Sequence, residues 1–362
     1  MHRTPPGPGP SRPIRVLRAP AAALRDALAL GALTILLLLL SPLLLALRLL
    51  LPTPAGRAAL PARLPLFWAA YTAGFSLTAL AGSLRLRARP GRGGPDDWSL
   101  LTARAGQRWR RLAGSWAGLH CRIELPCPAP DPELPVVVLA RHAGVLNTQV
   151  ALAAVTAVLG HDPRGIVKRC VALEPGTRAL LRGVPLSPFR WNRAGRAAAL
   201  AELSATGRAL AGGEAFWLYP EGTNYSTARR TAAIARLRAA GRDALADRAA
   251  AMRHVLPPHL PGALALLAAA PTAQVLVCAH TGLERLAPWM LDPGYAPGPA
   301  GEFRMRWWTF RAEQVPREPA AFADWLYDRW QEVDAWIAAP RPADDPAAPA
   351  PAPAPVADVD PA

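Results

Sequence analysis

The feature that most constrains this chain is an uncharged apolar segment near its start. Residues Ala27 to Leu47 carry no charged side chain, and Leu36 to Leu40 form an unbroken leucine run. At about 1.5 Å per residue, a helix of this length crosses a hydrocarbon core about 30 Å thick. The segment predicts a membrane helix over 27–47. The alternative is a secretory signal, but the preceding 26 residues are long for such a signal, and no small-residue cleavage site precedes Arg48.

A second uncharged stretch runs from Leu64 to Leu84. Three aromatic residues stand at its start, as in a helix anchored at a membrane interface, and one proline and two glycines interrupt it. The stretch predicts a second membrane helix. The alternative is a buried helix of the domain that follows.

Arginines flank both stretches. Four lie between Arg12 and Arg25, three lie in the connection 48–63, and four follow between Arg85 and Arg92. The positive-inside rule then puts both termini in the cytoplasm and the connection outside, although the arginines of the connection also permit a hairpin within one leaflet. We expect a cell-membrane location, a cytoplasmic catalytic domain and contact with anionic membrane lipids.

The charge balance requires an anionic partner. The chain has 362 residues with 41 Lys+Arg against 26 Asp+Glu, a net charge of +15, and its hydrophobic fraction of 51% excludes disorder of the whole chain. A membrane surface and a phosphorylated or CoA-like substrate fit this charge. Nucleic acid is disfavoured, because the arginines form no patch interleaved with aromatic residues. The four cysteines form no CxxC pair, so neither a disulfide framework nor a metal site is predicted.

The remaining chain divides by composition. Residues 1–26 form a basic arm and 340–362 a Pro/Ala/Asp tail, and neither has the composition to build a core, so both are predicted to be disordered. Between 85 and 339, short aliphatic runs alternate with longer Ala/Leu/Arg stretches, which predicts an α/β domain. The predicted strands are Val136–Ala140, Phe216–Tyr219, Val275–Ala279 and Phe303–Arg311. The predicted helices are Thr148–Leu159, Arg193–Ala211, Ala228–His254, Gly262–Ala270 and Pro319–Ala338.

Two motifs carry candidate chemistry. His142 directly follows an aliphatic strand and precedes a helix, which is where a general base can be held rigidly over a sheet edge. The second motif, Pro220 to Asn224, follows another strand, and its glycine, Gly222, lets the backbone approach a ligand closely. The plain alternatives are a structural histidine and an ordinary turn.

Together these motifs resemble those of the 1-acyl-sn-glycerol-3-phosphate acyltransferases, members of the glycerolipid acyltransferase superfamily. That family has a His-x4-Asp motif followed some 80 residues later by Phe-Pro-Glu-Gly-Thr-Arg. Here His142 and Glu221 lie 79 positions apart, and Ser187 to Arg193 between them resembles the family's second block. The strand from Val275 to His280 resembles its fourth block. The resemblance covers residues 135–286.

The resemblance implies a sheet flanked by helices, preceded by two hydrophobic helices, in an enzyme without a cofactor. The histidine acts as general base on a lysophospholipid hydroxyl, which attacks the thioester of acyl-CoA or acyl carrier protein. It implies His142 and Asn147 as catalytic, and Arg193, Glu221, Gly222, Thr223 and Asn224 as substrate-binding. The neighbouring cations Arg196, Arg229 and Arg230 are further candidates for binding the substrate phosphate, and the alternative for each is a solvated surface residue. Acyl-chain length, head group and oligomeric state are left open.

The chain departs from the family pattern at two positions. Asn147 replaces the motif's aspartate and can orient the histidine ring without supplying a negative charge. In serine proteases the corresponding change lowers kcat about 10⁴-fold. Asn224 stands where the family has an arginine. The alternative to an active enzyme is therefore a catalytically impaired homologue that serves as a lipid-binding scaffold. Asp162 and Glu174 lie near position 147 in the sequence and are the candidates to replace the missing aspartate.

Overall fold

The computed structural model describes residues 28, 32, 67–88, 94–117, 120–126, 128–144, 147–168, 174–181, 186–189, 195–284 and 302–339. The predicted basic arm and the predicted tail over 340–362 lie outside these residues. Of the predicted membrane helix 27–47, only Leu28 and Ala32 are described.

The centre of the fold is a seven-stranded sheet in the order β1-β7-β6-β2-β5-β3-β4. The strands β6, β2, β5, β3 and β4 run parallel, whereas β7 runs antiparallel to β6 and β1 pairs parallel to β7. Their bounds are β1 His120–Ile123, β2 Val136–Ala140, β3 Asp162–Lys168, β4 Leu186–Phe189, β5 Glu214–Leu218, β6 Gln274–Thr281 and β7 Glu302–Phe310.

Helices cover both faces of the sheet. They are α1 Leu77–Ala88, α2 Pro95–Ala117, α3 Asn147–Ala157, α4 Pro175–Leu180, α5 Arg196–Ala209, α6 Thr227–Ala239, α7 Asp243–Ala251, α8 Leu260–Ala269 and α9 Pro319–Ala338. The chain therefore has the α/β architecture that its alternating pattern predicts.

Alternation along β2 divides the core into two layers. Val136, Val138 and Ala140 pack into a cluster with residues of α2 and α3, among them Trp109 and Val155. The intervening Val137 and Leu139 pack into a second cluster with α5, α8 and α9. All five strand residues are buried, as expected for an aliphatic strand in the middle of a covered parallel sheet.

The second predicted membrane helix is not supported. Residues 67–71 are helical and continue through a π-helical turn, Thr72–Ser76, into α1. The buried rings of Tyr71 and Phe75 belong to the same cluster as Trp109 of α2, and the Tyr71 and Trp109 ring centroids lie 6.3 Å apart. The stretch therefore packs as a helix buried against the domain, which was the alternative to a membrane helix. Within the described ranges, no helix combines the length and the apolarity that a membrane crossing needs.

Some predicted elements differ from those observed. The predicted helix Ala228–His254 is two helices, α6 and α7, because the chain turns at Gly241, whose φ of 67° is left-handed. The predicted strand Phe216–Tyr219 begins earlier, at Glu214. Strands β1, β3 and β4 and helix α4 were not predicted, because each has only four to seven residues of mixed composition. Helix α2 was also not predicted, although its apolar residues recur at helical spacing.

Candidate functional site

The candidate site lies at the carboxyl edge of the three central parallel strands. His142 follows β2, Glu221 follows β5, and Glu284 follows β6, and β2 is hydrogen-bonded to both other strands. Ligands of open α/β sheets bind outside this edge. The two motifs, 79 positions apart in the sequence, therefore meet on neighbouring strands.

His142 is half-buried and is held by the loop that follows β5. Its ring stacks on the Tyr219 ring, with centroids 4.2 Å apart and planes 22° apart. Its carbonyl oxygen accepts a hydrogen bond from the Tyr225 N–H at 2.7 Å. Burial raises the pKa of Tyr219, so this phenol is neutral at physiological pH. The imidazole is thus oriented by a neutral aromatic surface.

Glu221 points into the protein. Its carboxyl group is buried, and Oε1 accepts a hydrogen bond of 3.3 Å from Nε1 of Trp330 in α9. Oε2 makes no well-aligned hydrogen bond to the described residues, although the backbone N–H groups of His142 and Leu256 lie close enough to lower the carboxyl pKa. Burial is the larger effect and raises the pKa of Glu221 to about 8. The carboxyl is therefore largely protonated at neutral pH and anchors the loop.

The Gly222–Asn224 loop runs past His259. Gly222 has φ 67°, and a Cβ atom there would lie 3.2 Å from Cδ2 of His259. Thr223 and Asn224 are half-buried. The loop is a close-fitting turn in which glycine meets both a conformational and a steric requirement.

The two predicted cations after this loop have different surroundings. Arg229 is exposed, and its NH1 donates to the carbonyl oxygen of Asn224 at 2.9 Å. Arg230 donates to the carbonyl oxygens of Ala250 and Met252, at the carboxyl end of α7. A cation at this end of a helix satisfies carbonyls left without intrahelical partners. Arg229 is thus the more accessible of the two for an anionic group.

The remaining predicted site residues are described only in part. Asn147 is the first residue of α3 and Arg196 the first residue of α5, but their side chains lie outside the described part of the structure. Arg193 falls in a range that is not described. The predicted contact between His142 and Asn147 stays a prediction.

The two carboxylates that lie near position 147 in the sequence both accept hydrogen bonds. Asp162 begins β3, at the opposite edge of the sheet, and accepts a hydrogen bond from Ser99. Glu174 caps α4, where its side chain accepts from the N–H groups of Gly176 and Thr177. Both carboxylates thus have hydrogen-bond partners of their own.

A buried ionic cluster behind His142 was not predicted. The Arg141 guanidinium is 1% exposed and pairs with Glu284 at 3.2 Å. Burial and the Arg141 charge lower the pKa of His280, so its imidazole is neutral. Burial opposes ionisation of Glu284, but the Arg141 charge and local hydrogen bonds together lower its pKa. The signal in the sequence was a charged residue, Arg141, directly after five aliphatic ones.

Within the described residues, no group of three or more His, Cys, Asp or Glu side chains is arranged to hold a metal ion. Cys121 and Cys278 are free thiols. Burial raises the pKa of both thiols, to about 12 for Cys121, which makes them poor nucleophiles.

The fold is similar to that of a solved structure. No protein-family model and no curated protein matches this chain. Among solved structures, the chain is similar to the 1-acyl-sn-glycerophosphate (LPA) acyltransferase PlsC from Thermotoga maritima, with 15% sequence identity and a TM-score of 0.47. The match covers 76% of this chain and 95% of that chain. Likeness at this level does not specify an activity, so the function must be argued from the residues of the site.

Proposed function

We propose that this chain transfers an acyl group from a thioester donor, acyl-CoA or acyl carrier protein, to the hydroxyl of a lysophospholipid such as lysophosphatidic acid. The proposal rests on His142 and the Glu221 loop, which are packed against each other at the carboxyl edge of β2 and β5. The observation that carries it is the hydrogen bond from the Tyr225 N–H to the His142 carbonyl, together with the ring stacking on Tyr219.

The proposed reaction needs a base and two positioned substrates. His142 removes the proton of the acceptor hydroxyl, and the hydroxyl oxygen attacks the carbonyl carbon of the thioester. The carbon–sulfur bond then breaks, and the imidazolium returns the proton to the departing sulfur. Arg229, which is exposed beside the loop, is a candidate partner for an acceptor phosphate. Holding both substrates at the carboxyl edge of the sheet, close to each other, supplies much of the increase in the rate of acyl transfer.

The second candidate function is a lipid-binding scaffold. It is favoured by Asn147 at the motif's acid position and by the engagement of Asp162 and Glu174 elsewhere. An asparagine at position 147 brings no negative charge, so it stabilises the imidazolium formed during proton transfer less than an aspartate does.

The two functions are separated by acyl-transfer assays of the full chain with several lysolipid acceptors. We expect His142→Ala to lower kcat by about 10²- to 10⁴-fold, and Asn147→Asp to raise it. His161→Ala is the control, because it removes a different histidine, buried before β3 at the opposite edge, and should cost stability but not kcat. Undiminished transfer by His142→Ala excludes the general-base role. Transfer that occurs only in Asn147→Asp supports the scaffold.

We also propose that the chain works at an anionic membrane surface of the cell, with its catalytic domain in the cytoplasm. The support is the net charge of +15 and the arginines that flank the apolar stretches. We expect the full chain to bind vesicles containing phosphatidylglycerol more tightly than phosphatidylcholine vesicles, and added salt to reduce the difference. Co-sedimentation measures this. Equal binding to both vesicle types at low salt contradicts an electrostatic contribution.

A further inference from the structure

We propose that Arg141, paired with Glu284, is the positioning residue for His142: it holds the turn after β2 against the loops that surround the site. Its catalytic consequence rests on the proposed function, but its effect on the His142 ring does not.

The Arg141 side chain contacts three other segments of the site. Nε and NH2 donate to the carbonyl oxygen of His254, at 3.0 and 2.8 Å, and NH1 donates to the carbonyl oxygen of His280 at 2.7 Å. NH1 also lies 3.2 Å from Oε1 of Glu284. The guanidinium carbon lies 5.6 Å from the ring centroid of Tyr225, within the range of a cation–π contact. One side chain therefore links the segments after α7, β5 and β6.

The backbone of Arg141 is bonded as well. Its N–H donates to the Cys278 carbonyl at 3.0 Å, and its carbonyl oxygen accepts from Nε2 of His280 at 2.8 Å. The next carbonyl, that of His142, accepts from Tyr225. The peptide groups on both sides of the His142 Cα are thus held in place. Because these two groups set the direction of the Cα–Cβ bond of His142, a shift of Arg141 moves the imidazole.

Arg141 lies on the other side of the sheet from the reacting group. Alternate residues of β2 pack into opposite core layers, and Arg141 continues the layer of Val137 and Leu139, on the side of α9. His142 continues the opposite layer, where its ring meets Tyr219. A buried guanidinium on the far side acts through His142 rather than on substrate.

The pairing explains why arginine occupies this position. Glu284 is held by the Thr281 hydroxyl at 2.8 Å and the Gly282 N–H at 3.0 Å, which place its carboxylate against the guanidinium. A planar guanidinium donates to two carbonyls and pairs with a carboxylate at once, whereas a lysine ammonium does not reproduce this fork. The ion pair also joins the turn after β2 to the turn after β6.

The test compares Arg141→Lys with Arg317→Lys in the full chain. Arg317 is a matched control, because its guanidinium also donates to two backbone carbonyls, those of Leu267 and Pro271, but near the start of β6 at the opposite edge. The readouts are kcat and acceptor KM below the unfolding midpoint of each variant, and the NMR signal of the His142 ring, assigned by its loss in His142→Ala. The double variant Arg141→Met/Glu284→Leu removes both charges and covers the case in which Arg141→Lys does not fold.

We expect Arg141→Lys and the double variant to lower kcat by about 10- to 100-fold with little change in KM, and to displace the His142 signal. Arg317→Lys should leave kcat, KM and the signal unchanged. An Arg141 variant with wild-type kcat and an unmoved His142 signal overturns the proposal. An increase in KM alone also overturns it, because that result makes Arg141 a substrate-binding residue. If no lysolipid is acylated by the wild type, the proposed function fails, and the His142 signal alone decides the role of Arg141.

Discussion

At the scale of single residues, the site is governed by how burial acts on ionisable groups. Burial raises the pKa of Glu221 from its ordinary value of 4.5 to about 8, against the opposing effects of Arg141, backbone N–H groups and Trp330. Glu284 lies near the same guanidinium, but the direct ion pair keeps it ionised. One arginine therefore faces one charged and one largely neutral carboxyl group.

This asymmetry predicts a pH dependence of stability. Between the unfolded value of 4.5 and the folded value of about 8, the native state holds a proton on Glu221 that the unfolded state has lost. The stabilisation that comes from this bound proton is therefore fully present below the unfolded pKa and is lost as pH rises through the folded pKa. Glu221→Gln stays neutral and keeps an acceptor for Trp330, so it should become the more stable protein as pH rises. Its free energy of unfolding should exceed that of the wild type by a few kcal/mol at most.

Urea unfolding of wild type and Glu221→Gln, at several pH values from about 5 to about 9, measures this difference. The comparison cancels the titration of groups that the two proteins share. A free-energy difference that is constant across this range contradicts a raised pKa of Glu221.

At the scale of elements, the turns at the carboxyl edge are fitted to one another. Gly144 has φ 83°, and a Cβ atom there would lie 2.0 Å from the carbonyl carbon of Leu283, in the turn after β6. Backbone atoms cannot be displaced as a flexible side chain can. The turn that carries His142 and the turn that carries Glu284 therefore need glycine where they meet.

We expect Gly144→Ala to lower stability and acyl transfer together. Gly160→Ala is the matched control, because Gly160 also has a left-handed φ, 66°, but lies before β3, where an added Cβ would meet no atom within 4 Å. The left-handed conformation costs alanine about 1–2 kcal/mol at both positions, and the clash adds to this cost only at Gly144. Thermal unfolding and the acyl-transfer assay measure the two effects. Equal losses in both variants mean that the turns do not press on each other.

At the scale of the whole molecule, the last described helix supports the site. Trp330 of α9 donates to Glu221, and Oδ1 of Asp334 accepts the N–H groups of Arg253 and His254, next to the carbonyl that Arg141 binds. Phe322, Leu326 and Trp330 are fully buried in the second core layer. Helix α9 is thus part of the core and also backs the Glu221 loop.

Two truncations test this role. A chain that ends at Glu318 lacks α9 and should fail to unfold cooperatively, because it exposes an apolar core layer. A chain that ends at Ala339 keeps every described contact of α9 and should match the wild type in unfolding midpoint and acyl transfer. Circular dichroism during heating and the transfer assay distinguish the two. An active, cooperatively folded chain without α9 contradicts the structural role of this helix.

Part of this protein was determined by local sequence alone. The aliphatic run of β2 predicts a buried strand, because each residue needs apolar surroundings whatever its partner strand is. His142 and the Glu221 motif mark ends of strands by their own local chemistry. The apolar stretch around Tyr71 shows the limit of such reasoning: a hydrophobic helix has the same sequence whether lipid or protein covers it, and only α2, packed against it, distinguishes the two.

The tertiary structure alone decided what surrounds each charge. Local composition makes Arg230 a phosphate ligand as readily as a helix cap, and only the position of α7 shows that its guanidinium meets backbone carbonyls. In the same way, Trp330 meets Glu221 across 109 positions of the sequence, and Arg141 meets His280 across 139. Burial and charge pairing arise from contacts between distant segments, so their effects on pKa and orientation follow from the assembled sheet edge rather than from any stretch of the chain.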